Sequence, residues 1–137
     1  MEVGCGTGFF TIPAAELVGD EGRVYAIDSH PLAIEQVAKK IRDAGLTNVR
    51  LIKADAIETA LANDCTDLIL LLGVIPSPTL PLARLLPEMH RLLKPEGALA
   101  VWTAFPWWSP ASLTKRGLFV YVGKESGVHN FRKETSD

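Results

Sequence analysis

Residues 68–72 read Leu-Ile-Leu-Leu-Leu and offer no polar face. A strand with one wet side alternates apolar and polar residues, so an unbroken run led by Asp67 fits a central parallel strand covered on both faces. Parallel neighbours need crossover connections, usually helices. The chain supplies them in alternation. Met1-Glu2-Val3 is a short apolar start that runs directly into Gly4-Cys5-Gly6-Thr7-Gly8. Phe9 to Val18 then reads as a helix, with Phe9, Ile12, Ala15 and Leu17 on one broad face and Pro13 tolerated near its first turn. Arg23 to Asp28 is a β-rich run ending in an acid. Pro31 suits a first helical position, and Ile34, Val37, Ala38 and Ile41 recur at helical spacing until Gly45.

Asn48 to Ala54 forms the third predicted strand, followed by Asp55 and a short predicted helix over 57–62. After the apolar run, Pro76, Pro78 and Pro81 delay the next helix, predicted from about Pro81 to Leu93. Lys94 to Gly97 is a turn and Ala98 to Thr103 a fifth strand. The grammar then changes to an aromatic loop, Phe105-Pro106-Trp107-Trp108. Two short runs follow, 118–122 and 128–131, joined by 123–127 as a hairpin. The βαβα order argues an α/β class: a doubly wound, mostly parallel sheet, helices on both faces, and a C-terminal antiparallel hairpin.

Composition narrows the class. With 137 residues, no repeats and no linker, the expectation is one domain over 1–137. Fourteen basic and sixteen acidic residues leave a net charge of −2, so no broad field favours nucleic acid or an anionic membrane. The two cysteines, Cys5 and Cys65, are too few for a disulfide scaffold and fit a reducing cytoplasm. Neither has a second cysteine at ligand spacing, so no metal is expected. The longest apolar run, Leu68 to Ile75, is far short of the roughly 18 residues a membrane span needs.

In such sheets ligands bind beyond the carboxyl ends of the strands. Gly4 to Gly8, Asp28, Asp55 and Leu72-Gly73 all fall at those ends. A glycine-rich turn lets a ligand approach backbone without meeting a Cβ, and the helix behind it favours a negative group. Asp28 lies about 20 residues further on, where a strand-end acid can accept both hydroxyls of a ribose. The dinucleotide pattern would require a glycine or alanine at position 9, which here is Phe9.

The run Glu2-Val3-Gly4-Cys5-Gly6-Thr7-Gly8 resembles the first motif of class I S-adenosylmethionine-dependent methyltransferases. Val24 to Asp28 resembles their second motif, Lys53 to Ala56 the third, and Thr66 to Gly73 the fourth strand. His90 to Gly97 with Ala98 to Val101 is similar to the helix, turn and strand that follow. These five motifs cover residues 2 to 101. The resemblance implies a Rossmann-like fold and S-adenosylmethionine as cofactor. It implies that Gly4, Cys5, Gly6 and Gly8 shape the turn around the methionyl part, with Glu2 near its ammonium. Asp28 would hold the ribose diol with Ser29 beside it, Asp55 and Ala56 would meet the adenine, and Leu72 would line the methionyl side.

The Cys5 thiol reads as a small buried filler rather than a nucleophile. Of the three histidines, His90 reads as half-buried on a helix, His129 as solvent-facing on the hairpin, and His30 as close to the adenosine; none is assigned a catalytic role. Trp107 and Trp108 suggest an aromatic wall over a methyl-acceptor pocket, the alternative being packing against a helix or a partner subunit, as in a homodimer. Two departures from the family stand out. Only three residues precede Gly4, so the usual N-terminal helix and start of the first strand are missing. The segment Gly73 to Ser77 also lacks the Asn-Pro-Pro-aromatic signature of enzymes that methylate amide or base nitrogens. The expectation is a cytoplasmic methyltransferase acting on a small molecule, with a non-catalytic cofactor-binding module or partner subunit as the alternative, and a nicotinamide-dependent oxidoreductase disfavoured by Phe9.

Overall fold

Three parallel strands with two helices between them open the chain: β1 (Glu2–Val3), α1 (Thr11–Val18), β2 (Val24–Asp28), α2 (Pro31–Asp43) and β3 (Val49–Lys53). The computed structural model describes residues 1–135. These divide into two compact units, Met1–Ala56 and a second that begins at Ile57.

In the first unit β2 pairs with β1 on one side and β3 on the other, with Val3 opposite Ile27 and Asp28 opposite Lys53. A small core of Cys5, Ala26 and Val37 is flanked by Ile34, Ile41, Val49 and Leu51. That places the apolar stripe of α2 where its spacing predicts. His30 caps this helix, its Nδ1 accepting the Leu32 N–H at 3.2 Å, and Pro31 takes the first position. Gly45, at φ +65°, closes it. The Gly45 N–H donates to Arg42 O and the Leu46 N–H to Ile41 O, both at 3.1 Å, the paired bonds of a Schellman ending.

Helix α1 departs from expectation. It starts at Thr11 and buries Thr11 and Ala15, while Phe9 and Leu17 are 74% and 86% exposed. Its C-terminal carbonyls are secured from β3's side: the Asn48 amide donates to Ala15 O and Gly19 O, both at 2.8 Å.

The second unit contains β4 (Thr66–Leu72), α3 (Leu82–Leu92), β5 (Leu93–Trp102), α4 (Ala111–Thr114), β6 (Phe119–Glu125) and β7 (Val128–Lys133). Strands β4 and β5 are parallel, and β7 pairs antiparallel with both β5 and β6. Within β4, Ile69 and Leu71 are fully buried, whereas Leu68 is 42% exposed and Leu70 and Leu72 are half-buried. The apolar run is therefore covered completely on one face only. The hairpin is longer than the sequence suggests. Ser126 at φ +51° and Gly127 at φ +82° form a two-residue turn, the geometry that matches strand twist, so pairing extends to Glu125 and Val128.

No helix forms over 57–62. Thr59 instead donates to Glu88 Oε2 of α3 from both its N–H (2.8 Å) and its hydroxyl (2.7 Å), and Ala60 turns through φ +62°. Arg91 completes the latch. Its Nε and Nη2 donate to the two Glu88 oxygens at 2.8 and 2.9 Å, and its Nη1 reaches Leu61 O and Asn63 Oδ1 at 2.6 and 2.8 Å. The guanidinium, together with the Thr59 donors, holds the Glu88 carboxyl down at about 2 against the opposing effect of burial. On its other side α3 buries Leu85, Leu86, Met89 and Leu92 completely.

Candidate cofactor site

In the first unit, parallel pairing puts the carboxyl ends of β1, β2 and β3 in a row, about 10 Å across at two strand spacings. Each end carries one predicted group: the glycine turn after β1, Asp28 at the end of β2, and Asp55 with Ala56 after β3. The Ala54 N–H donates to Asp28 O at 3.2 Å, which keeps β2 and β3 together to this level.

The turn is built from backbone bonds. Gly4 and Cys5 both donate their N–H to Ile27 O, at 2.7 and 3.1 Å, and the Gly8 N–H donates to Cys5 O at 2.8 Å. Gly6 and Gly8 have φ of +54° and +83°, where side chains with a Cβ are disfavoured. The reasons for glycine differ between them. A Cβ on Gly8 would stand 3.3 Å from Val37 Cγ2, so helix packing crowds it. A Cβ on Gly6 would meet only Gly4 O, at 3.9 Å, so the space it would take is open. That open cradle is what a close-approaching ligand requires.

Asp28 faces the turn. Its Oδ2 accepts the Gly6 N–H at 3.1 Å and its Oδ1 accepts the His30 N–H at 2.9 Å. Two backbone donors orient the carboxylate while leaving acceptor capacity on each oxygen. Ser29 is exposed beside it, Asp55 is exposed and Ala56 is buried. The remaining predicted groups lie deeper. Glu2 is 3% exposed and accepts a hydrogen bond from the Thr11 hydroxyl; burial raises its pKa, partly offset by that bond. Burial, reinforced by the Asp28 and Glu2 charges, pushes the Cys5 thiol up to about 12, so it is a filler and not a nucleophile.

Leu72 belongs to the second unit. It is half-buried opposite Trp102, and the Gly73 N–H donates to Trp102 O at 2.8 Å. Trp107 is 72% exposed and tilted against Phe105, whereas Trp108 is half-buried, with its ring centroid 5.2 Å from that of His129. The Tyr121 hydroxyl and His129 Nδ1 are hydrogen-bonded at 2.9 Å, and burial, with the Lys124 charge, lowers the His129 pKa. His129 is therefore half-buried and partnered, not facing solvent as its place on the hairpin suggests. The pairing of β6 with β7 is what brings Tyr121 to it, and no local motif signals that. His30 is a helix cap, and His90 Nε2 is hydrogen-bonded to Glu134 O at 2.7 Å. Among the described residues, no three His, Cys, Asp or Glu side chains are grouped to hold a metal ion, and no helix is long and apolar enough to cross a membrane.

Residues 1–97 match the family model described as "Methyltransferase domain". The chain belongs to the methyltransferase-domain family. One similar relative is demethylmenaquinone methyltransferase of Geobacillus stearothermophilus, 35% identical over 98 residues, which are 71% of this chain and 41% of that protein. Another is aklanonic acid methyltransferase of a Streptomyces species, 43% identical over 56 residues, 41% of this chain and 26% of that one. The chain spans about two-fifths of the length of the demethylmenaquinone methyltransferases it matches. Among solved structures, a SAM dependent methyltransferase from Aquifex aeolicus superposes with a TM-score of 0.81 at 23% identity, covering 96% of this chain and 79% of that one. That likeness shows the fold: the Rossmann-like α/β class, mostly parallel, with the antiparallel hairpin at its C-terminal end. S-adenosylmethionine is the cofactor that goes with this methyltransferase family and fold, and the open cradle at Gly6 beside an oriented Asp28 fits it.

Proposed function

We propose that this chain is the cofactor-binding and catalytic domain, over 1–137, of a cytoplasmic methyltransferase that acts on a small molecule. The observation that carries the reading is the Asp28 carboxylate, held by two backbone N–H groups at the end of β2 and bonded to the glycine turn itself. Such a carboxylate is pre-oriented to accept two hydroxyls of a ribose. Gly4, Cys5, Gly6 and Gly8 give the turn its shape for the methionyl part, and the buried Glu2 supplies negative charge behind it for the ammonium. Ser29 borders the ribose, and Asp55 and the Ala56 backbone take the adenine.

Bound there, the cofactor supplies a methyl group already activated on a sulfonium sulfur, so the protein's own contribution is alignment and exclusion of water. The names of two relatives, for demethylmenaquinone and aklanonic acid, support a small-molecule acceptor. Trp107 and Trp108 are the side chains proposed to face it. The net charge of −2 supports the absence of a nucleic-acid partner.

The test is calorimetric titration of the chain with S-adenosylhomocysteine, beside Asp28→Ala. Binding that the substitution weakens tenfold or more, about 1.4 kcal/mol, is the expected result. A folded chain that does not bind overturns the reading. Binding without turnover across a panel of small-molecule acceptors would make it a cofactor-binding module instead.

A further inference from the structure

Helix α2 touches the glycine turn as well as the end of β2. Its cap residue, His30, donates its N–H to Asp28. Three turns further on, the Lys40 ammonium donates to the Thr7 carbonyl oxygen, and Lys40 Cδ lies 3.6 Å from the point where a Gly8 Cβ would stand. Val37, one turn earlier on the same face, is fully buried against that point. The Thr7 carbonyl and the Gly8 N–H belong to one peptide group. That group is therefore fixed at both ends, by Lys40 on its oxygen and by Cys5 O on its N–H at 2.8 Å. The adjacent lysine makes a different contact: Lys39, exposed like Lys40, pairs with Asp43 at 3.0 Å, one helical turn on.

We propose that Lys40 is a positioning residue for the amino-acid end of the cofactor, acting through the Thr7–Gly8 peptide. This rests on the reading of the turn as the cofactor site. A cation donating to a carbonyl polarises the peptide and strengthens the bond its N–H makes. Through it, α2 holds the turn at a second point, beside the bond between Gly6 and Asp28. Loss of the ammonium alone would leave the carbon stem on Gly8 and free the Thr7 carbonyl. Lys40→Met makes that separation, because methionine keeps an unbranched apolar stem without a donor.

The experiment titrates wild type, Lys40→Met, Lys40→Arg and Lys39→Met with two ligands. S-adenosylhomocysteine carries the amino-acid end; 5′-methylthioadenosine keeps the adenosine and the sulfur but lacks it. Lys40→Met is expected to weaken S-adenosylhomocysteine by about tenfold, the scale of one charge-assisted hydrogen bond, and to leave methylthioadenosine unchanged. Lys40→Arg should recover most of that loss, and Lys39→Met should match wild type. Amide hydrogen exchange at Gly8 should quicken in Lys40→Met and not in Lys39→Met, a readout that needs no ligand. Equal weakening of both ligands, or none, overturns the proposal, as does unchanged exchange at Gly8. Failure of wild type to bind either ligand is a different result: it removes the cofactor site itself, and Lys40's role with it.

Discussion

Asp28 and Glu88 are both carboxylates with two engaged oxygens, one in each unit, and their donors differ in kind. Asp28 is held by the N–H groups of Gly6 and His30, using two of its roughly four acceptor positions. Glu88 takes two bonds from Arg91 and two from Thr59, three of them on Oε2 and one on Oε1. Backbone donors at a strand end aim a carboxylate and leave room for a ligand. A guanidinium and a threonine give one four bonds, half of them from a cation, and make it a fastener. Neither residue type nor burial alone separates the two cases; counting donors does.

The sharpest way to break this comparison is Glu88→Gln. It should cost about 2–3 kcal/mol of stability, since it weakens bonds to a charged group, measured by urea unfolding. The folded variant should bind S-adenosylhomocysteine as wild type does. A drop in affinity without a drop in stability would mean that Glu88 belongs to the site after all.

The same carboxyl has a pH signature. Its pKa falls from an ordinary 4.5 to about 2 in the folded chain, so its contribution is complete above the ordinary value and is lost as pH falls through the folded one. Wild type should lose this share of its stability between pH 4.5 and about 2, and Glu88→Gln should show a flatter curve in that window. Parallel curves for the two proteins would show that Arg91 does not hold the ion pair.

Asp28→Asn reverses the readouts. It should lower affinity for S-adenosylhomocysteine by about tenfold, or 1.4 kcal/mol, while unfolding shifts by less than that. The smallest effect is expected at Gly45, far in sequence from both carboxylates. A Cβ there meets nothing within 4 Å, so Gly45→Ala carries only the backbone cost of φ +65°, about 1 kcal/mol. Affinity should be unchanged; if it fell, the helix ending beyond Lys40 would be part of the site's support as well.

What was legible in the sequence follows the same division. The glycine turn, Asp28 and the α2 stripe could be read because each is a demand of the backbone: a positive φ, a strand-end position, a helical period. Glu88 and Arg91 stand three apart on a helix, a spacing that reads as an exposed charge pair. Only the fold brings Thr59 to them, and that contact overrides the helical propensity of 57–62. Helix α1 is legible only in part. Of its predicted face Ala15 is buried and Ile12 half-buried, while Phe9 and Leu17 are exposed and the other buried position is the polar Thr11, so periodicity located the middle of the packed side but not its edges. The Tyr121–His129 pair depends on the register between β6 and β7 across a turn shorter than the loop suggested by Gly123 and Gly127.

The placement of the large chromophores gives the molecule a built-in division of optical labour. All three tryptophans, at 102, 107 and 108, belong to the second unit, and the first has Tyr25 instead. Emission excited at the red edge of tyrosine absorption therefore originates in the second unit alone. Loss of S-adenosylhomocysteine binding on heating, with that emission unchanged, would register the first unit opening by itself. Simultaneous change would make the two units one cooperative body, a distinction obtained without introducing a single label.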